Sequence, residues 1–165
     1  YWNHLKDFKK ISSEDIKELI HHSVNIKNKV VLEDPYEHGL RKILNFGHTL
    51  GHAIESYCLT QEDKTTLLHG EAIAIGMILE AYLSTKLTGL RQEESDEIKT
   101  VFNSIYPKID FTPNEIEAIL SLLQYDKKNS HGKVKFVLLE AIGKPVTDIG
   151  VPVALFQASF DYYKQ

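Results

Sequence analysis

From Gly70 to Leu87 the chain is largely apolar, and Gly89 follows two residues later. A run of this length with a glycine just past its end reads as a buried helix. No apolar run in the sequence is long enough to span a bilayer, and the N-terminus lacks the shape of a signal peptide. The helix is therefore expected inside a packed domain.

Most of the remaining pattern is helical too. Ser12-Ser13-Glu14-Asp15 is a helix start, with a hydroxyl cap and early carboxylates at the positive helix end. Ile16, Leu19, Ile20, Val24 and Ile26 follow at roughly helical spacing, and Asp34-Pro35 breaks the pattern. A helical turn over Leu40 to Leu44 leads into a helix from about Gly47 to Cys58, and Thr60 to Thr66 is a polar loop. Further helices are expected from Glu93 to Ile105 and from Pro113 to Leu123, with Thr112 as cap and Pro113 at the first helical position. Asp126 to Gly132 is turn-rich. Val134 to Leu139 reads as a short strand, with Val146 to Ile149 available to pair with it across Ile142-Gly143-Lys144-Pro145. Val153 to Tyr163 is a closing helix. The fold class is mainly α, a single multi-helix domain over residues 1–165 with a small β element near 134–149.

Composition narrows the function. The 165 residues are 42% hydrophobic and 25% charged, the balance of a soluble globular domain. Nineteen basic against 23 acidic residues leave a net charge of -4, which argues against nonspecific nucleic-acid binding. The single cysteine, Cys58, excludes an internal disulfide framework and fits a reducing cytoplasm.

The densest polar cluster runs from Arg41 through Asn45, Gly47, His48, Gly51, His52 and Glu55 to His69, Gly70 and Glu71. His48 and His52 are four apart and share one helix face, a pairing that suits a divalent metal. His69 opens the next helix and can fold back beside them. Glycines at 47, 51 and 70 are poor helix formers, and their place beside the histidines points to close approach of something to the backbone. By contrast, His4, His21, His22 and His38 read as surface residues. An isolated pair of helical histidines is a weak signal, and helical glycines can mark tight packing alone; convergence of the set is what carries weight.

Leu44-Asn45-Phe46-Gly47-His48-Thr49-Leu50-Gly51-His52-Ala53-Ile54-Glu55 resembles the signature of 3-dehydroquinate synthases. So do Leu68-His69-Gly70-Glu71-Ala72-Ile73-Ala74-Ile75-Gly76-Met77, the preceding Lys27 to Val31 and Asp34 to Arg41, and the later Asp126-Lys127-Lys128 and Gly132 to Leu139. The likeness spans about Lys27 to Gly143. It implies the C-terminal, metal- and substrate-binding domain of that fold.

The resemblance also implies a reaction: DAHP (3-deoxy-D-arabino-heptulosonate 7-phosphate) becomes 3-dehydroquinate with loss of phosphate, an early step of the shikimate route to aromatic amino acids. The cofactors implied are NAD, used catalytically, and Zn2+ or Co2+. His48 and His69 match the metal ligands, and His52 moves beside the substrate as the catalytic proton-transfer group. This differs from the pairing of His48 with His52 that spacing alone suggests. Lys27, Arg41, Asn45 and one of Lys127 and Lys128 match substrate-binding residues; the substrate's carboxylate and phosphate call for cations in a chain that is acidic overall. Glu55 is expected to support the ligands or the helix packing. Lys133 and Lys135 are expected as strand-edge charges.

Two departures from the family pattern bear on function. The third metal ligand, a glutamate, is expected outside this chain, before Tyr1, together with the NAD-binding α/β domain; the chain is then a fragment that is inactive alone. The loop through Gln61 to Thr65 is longer and more polar than the family's. A homodimer is expected, with a sugar phosphate as small-molecule partner and neither nucleic acid nor membrane. Rival readings are a sister cyclase of the 2-deoxy-scyllo-inosose synthase kind, which lacks the substrate carboxylate, and a non-enzymatic helical module.

Overall fold

The computed structural model describes residues 2, 6, 10–61, 67–129 and 134–165, with the backbone alone over 124–129. It falls into two compact units, Tyr1–Leu44 and Asn45–Gln165.

In the first unit, α1 spans Ser13–Glu33. Ser12 caps it: its hydroxyl accepts from the Asp15 N–H at 3.1 Å, and the Asp15 carboxylate accepts from the Ser12 N–H at 3.1 Å. The two bonds satisfy donors that a helix start leaves open. The helix stops at Asp34, before Pro35, as the sequence pattern requires. The apolar stripe that predicts this helix is not core here: Ile16, Ile20, Val24 and Ile26 are all exposed. A 3-10 helix, Leu40–Asn45, follows and crosses into the second unit.

The second unit is built around α3. Its elements are α2 (His48–Leu59), α3 (His69–Leu87), α4 (Gln92–Ile105), α5 (Pro113–Asn129), β1 (Lys135–Ala141), β2 (Lys144–Gly150) and α6 (Ala154–Lys164). Helix α3 is buried on nearly every side, including Ala72 to Gly76, Ile78 to Ala81, Leu83 and Ser84. That burial explains its lack of a polar face: α2, α4, α6 and β1 all pack on it. Leu50, Ile54, Leu79, Leu83, Ile119, Phe136, Leu138, Phe156 and Phe160 join in one core.

The strands pair antiparallel, Lys135 opposite Gly150 and Leu138 opposite Val146, and turn at Gly143 with φ +85°. Serine and threonine on α3 anchor the pair. Ser84 Oγ accepts from the Leu139 N–H at 3.0 Å, and Thr88 Oγ1 donates to the Leu139 carbonyl at 2.5 Å. The β1 backbone groups thus stay bonded inside the core.

Two boundaries differ from the sequence reading: β2 begins at Lys144, inside the expected turn, and α5 runs further than expected. The segment Asp126 to Asn129, expected as a turn, is the last turn of α5. Thr112 and Pro113 start that helix as expected, and the Glu115 carboxylate accepts from the Thr112 N–H at 2.7 Å. Nothing between Leu123 and Asn129 breaks a helix, and lysines in a last turn oppose the negative helix end. Residues Ser130 to Lys133, and Glu62 to Thr66, for which a loop is expected, lie outside the described residues, as does His4.

Candidate functional site

The N-terminal turn of α2 and the Ala72 to Met77 stretch of α3 are brought together by missing side chains. Gly47 has φ +81°, and a Cβ there would lie 2.3 Å from Met77 Cγ. A Cβ on Gly51 would lie 3.0 Å from Ile73 Cα, and one on Gly76 would lie 2.0 Å from the Gly47 carbonyl oxygen. The glycines expected to allow close approach at 47 and 51 therefore admit helix α3. Gly70 differs: the nearest atom to a Cβ there is Tyr106 Oη at 4.0 Å, so this chain does not crowd it.

This contact gathers three imidazoles. Ring centroids are 5.4 Å apart for His48 and His52, 6.0 Å for His48 and His69, and 5.4 Å for His52 and His69. Spacing within α2 supplies the first pair; only the packing of α2 on α3 supplies the other two. The His52 and His69 side chains are 56% and 55% exposed, which leaves the cluster open to a ligand.

Each ring has a partner at Nδ1. His48 Nδ1 lies 3.2 Å from the Phe46 carbonyl oxygen. Glu55, one turn after His52, lies 3.4 Å from His52 Nδ1 and 3.2 Å from His69 Nδ1. The His69 hydrogen bond is the largest influence on the Glu55 carboxyl; burial opposes it, and with the weaker His52 hydrogen bond added the carboxyl is held below its ordinary range. A carbonyl or carboxylate at Nδ1 makes that nitrogen the donor and leaves Nε2 as the lone pair. Donor atoms of His52, Glu55 and His69 all lie within 4.8 Å of one another. Imidazoles with an added carboxylate are the donor set of a borderline-soft divalent ion, so the residues fit a metal.

Asn45 ends the 3-10 helix, two residues before Gly47. In the first unit, Lys27 lies on the exposed surface of α1. Arg41 is half-buried: its Nη1 donates to the Pro35 carbonyl at 2.8 Å, and Nε lies 3.8 Å from the Glu37 carboxylate. Asp34 shapes that turn, accepting from the N–H groups of His38, Gly39 and Arg41 at 3.0, 2.7 and 3.0 Å. Lys127 and Lys128 lie in the last turn of α5, where only the backbone is described. Lys135 is an exposed charge at the start of β1, as expected; Lys133 lies outside the described residues.

Sequence reasoning passed over one residue. Glu80 is fully buried in α3, and its carboxyl accepts from the Gly47 N–H at 2.6 Å and the Leu50 N–H at 3.2 Å. The signal was present as a lone acidic residue between Ala72 and Leu83, because a charge in an apolar helix is costly unless bonded.

Residues 1–129 match the family described as 3-dehydroquinate synthase C-terminal. The chain belongs to that family. The 3-dehydroquinate synthase of Parabacteroides distasonis is 36% identical over 150 residues, covering 91% of this chain and 42% of the relative. That of Crocosphaera subtropica is 39% identical over 158 residues, covering 92% and 42%. The chain thus spans about two fifths of the length of these relatives.

Solved structures agree on the dehydroquinate synthase-like fold. A 2-deoxy-scyllo-inosose synthase complexed with carbaglucose-6-phosphate, NAD+ and Co2+ superposes with a TM-score of 0.76 at 26% identity, over 98% of this chain and 45% of that one. A 2-epi-5-epi-valiolone synthase of Streptomyces hygroscopicus, with NAD+ and Zn2+ bound, gives 0.72 at 19% identity, over 99% and 44%, and speaks for the fold alone. Among the described residues no helix is long and apolar enough to cross a membrane.

Proposed function

We propose that this chain is the metal- and substrate-binding part of a cytoplasmic 3-dehydroquinate synthase, a phosphate-eliminating cyclase that converts DAHP to 3-dehydroquinate. The observation that carries this reading is the convergence of His48, His52 and His69 beside Glu55 at the α2–α3 contact, in a chain of this family.

In this reading His48 and His69 hold a divalent ion, Zn2+ or Co2+, through Nε2, and a glutamate outside this chain completes the set. The bound ion supplies Lewis-acid polarisation of a substrate oxygen. NAD, held by a further domain, supplies the hydride acceptor and donor. His52 holds and releases a proton at Nε2, with the Glu55 carboxylate at Nδ1 orienting the ring. Arg41, Lys27, Asn45 and one of Lys127 and Lys128 bind and orient the substrate's carboxylate and phosphate. The protein acts as a homodimer.

The test is a chimaera in which the preceding part of the Parabacteroides distasonis relative is fused to this chain. With NAD and Zn2+ or Co2+, DAHP is expected to yield phosphate and 3-dehydroquinate. Turnover of glucose 6-phosphate instead would move the reading to the 2-deoxy-scyllo-inosose synthase kind, which the solved neighbour of that name favours. A folded chimaera that turns over neither would leave the non-enzymatic module.

A further inference from the structure

Helix α2 has an unusual start. Its N-cap is Gly47, which has no side chain to offer the first N–H groups, and no side-chain cap comes from the neighbouring sequence. A helix start with unpaired donors is costly when buried. The cap comes from another helix: Glu80, wholly buried on α3, accepts from the N–H groups of Gly47 and Leu50.

The Gly47 N–H belongs to the same planar peptide as the Phe46 carbonyl. That carbonyl lies 3.2 Å from His48 Nδ1, and because a carbonyl can only accept, the imidazole nitrogen donates. One rigid unit therefore joins a buried carboxyl on α3 to the ring of His48. The N–H and C=O of a trans peptide point in opposite directions, so a partner on each side fixes its plane. Hydrogen bonds in such a chain also polarise one another.

We propose that Glu80 is a positioning residue for His48, acting through the Phe46–Gly47 peptide to hold the imidazole in the Nδ1–H form, the tautomer whose Nε2 lone pair can bind a metal. The last clause rests on the reading of His48 as a ligand; the tautomer and orientation do not. The close fit of the two helices narrows the alternatives. Gly76 lies so near Gly47 that no side chain can enter there, and Glu80, one turn on, is the group that reaches the peptide. A purely structural cap would stabilise α2 without influencing the ring.

The experiment separates the two roles. Imidazole nitrogens are 15N-labelled in the 165-residue chain, His48 is assigned by its loss in His48→Ala, and spectra are taken where the rings are neutral. The unsubstituted chain is expected to show His48 as the Nδ1–H form. Glu80→Met, which removes both acceptor oxygens, is expected to shift the His48 nitrogens toward a mixture of tautomers. It should also weaken Co2+ binding by about tenfold to a hundredfold, the scale of a lost outer-shell partner. Ser84→Ala is the control. It removes an equally buried group from the same helix, one that bonds the Leu139 N–H and the Glu80 backbone carbonyl but not the Glu80 carboxyl, and should leave the His48 signals unchanged.

If Glu80→Met does not fold, Glu80→Gln decides. It keeps one acceptor for two N–H groups, and a partial shift of the same sign is expected. Unchanged His48 signals in whichever variant folds, or an equal change in Ser84→Ala, would overturn the proposal. Failure of the unsubstituted chimaera, which carries the proposed third ligand, to bind Co2+ would overturn the metal reading instead, and the nitrogen spectra would still decide the role of Glu80.

Discussion

The Glu55 carboxyl lies between two histidines on different helices, 3.4 Å from Nδ1 of His52 on α2 and 3.2 Å from Nδ1 of His69 on α3. In the proposed site it supports the rings rather than binding metal. Glu55→Gln is then expected to weaken Co2+ binding by about tenfold to a hundredfold. His48→Ala should weaken it more, because a ligand is lost outright. Titration of the cobalt absorption band checks the order. The reverse order would make Glu55 the ligand beside His52 and His69, whose donor atoms it already approaches within 4.8 Å.

Gly76 and Gly70 are both on α3 but differ in surroundings. An alanine Cβ at 76 would meet the Gly47 carbonyl at 2.0 Å, and backbone cannot swing aside as a side chain does. Gly76→Ala should cost at least about 3 kcal/mol, the upper end for overpacking. Gly70→Ala has open space and should change stability by no more than about 1 kcal/mol, the scale of helix propensity. Urea midpoints measure both. A mild Gly76→Ala would show that α2 and α3 can part without loss.

Glu80 carries a pH dependence. Burial pushes its carboxyl up to about 8 from an ordinary 4.5, while the N–H groups of Gly47, Leu50 and Thr49 pull it partly back. Between those values the folded chain keeps a proton that the unfolded chain releases. This contribution to stability is therefore full below the unfolded value and is lost as pH rises through the folded one, by up to ~1.4 kcal/mol per unit. Glu80→Gln should flatten the stability profile across that window. An equal slope in both proteins would assign the dependence elsewhere.

Asp34 has the opposite sign. The N–H groups of Gly39 and then Arg41 lower its carboxyl, so its support of the turn holds above the usual carboxylate range and fades as pH falls through the folded value. In Asp34→Ala the Gly39 and Arg41 amides should lose hydrogen-exchange protection at neutral pH. Retained protection at both would show that the turn stands without the carboxylate.

The chain alone, supplied with DAHP, NAD and Zn2+, should form no 3-dehydroquinate. The proposed third ligand and NAD domain lie outside it, and a catalytic zinc site needs three protein ligands. Detectable product would show that these residues suffice.

The helices were legible in the sequence because their starts and stops are local. Ser12 and Asp15 cap α1, Pro113 opens α5, Gly143 turns the strands, and none of these needs a distant partner. The end of α5 is not legible because Asp126, Lys127 and Lys128 suit a turn and a last helical turn equally. His48 and His52 share a helix face by spacing alone, Arg41, Asn45 and His69 stand out in the polar cluster around them, and Lys27, Lys127 and Lys128 come from the resemblance to known motifs. The approach of His69, the bridging of His52 and His69 by Glu55, and the capping of α2 by Glu80 were decided by packing. Each joins residues of α2 to residues of α3, and their separation depends on how closely Gly47, Gly51 and Gly76 let two backbones meet. Local sequence sets which face of a helix a side chain occupies; only the contact between helices sets what that face meets.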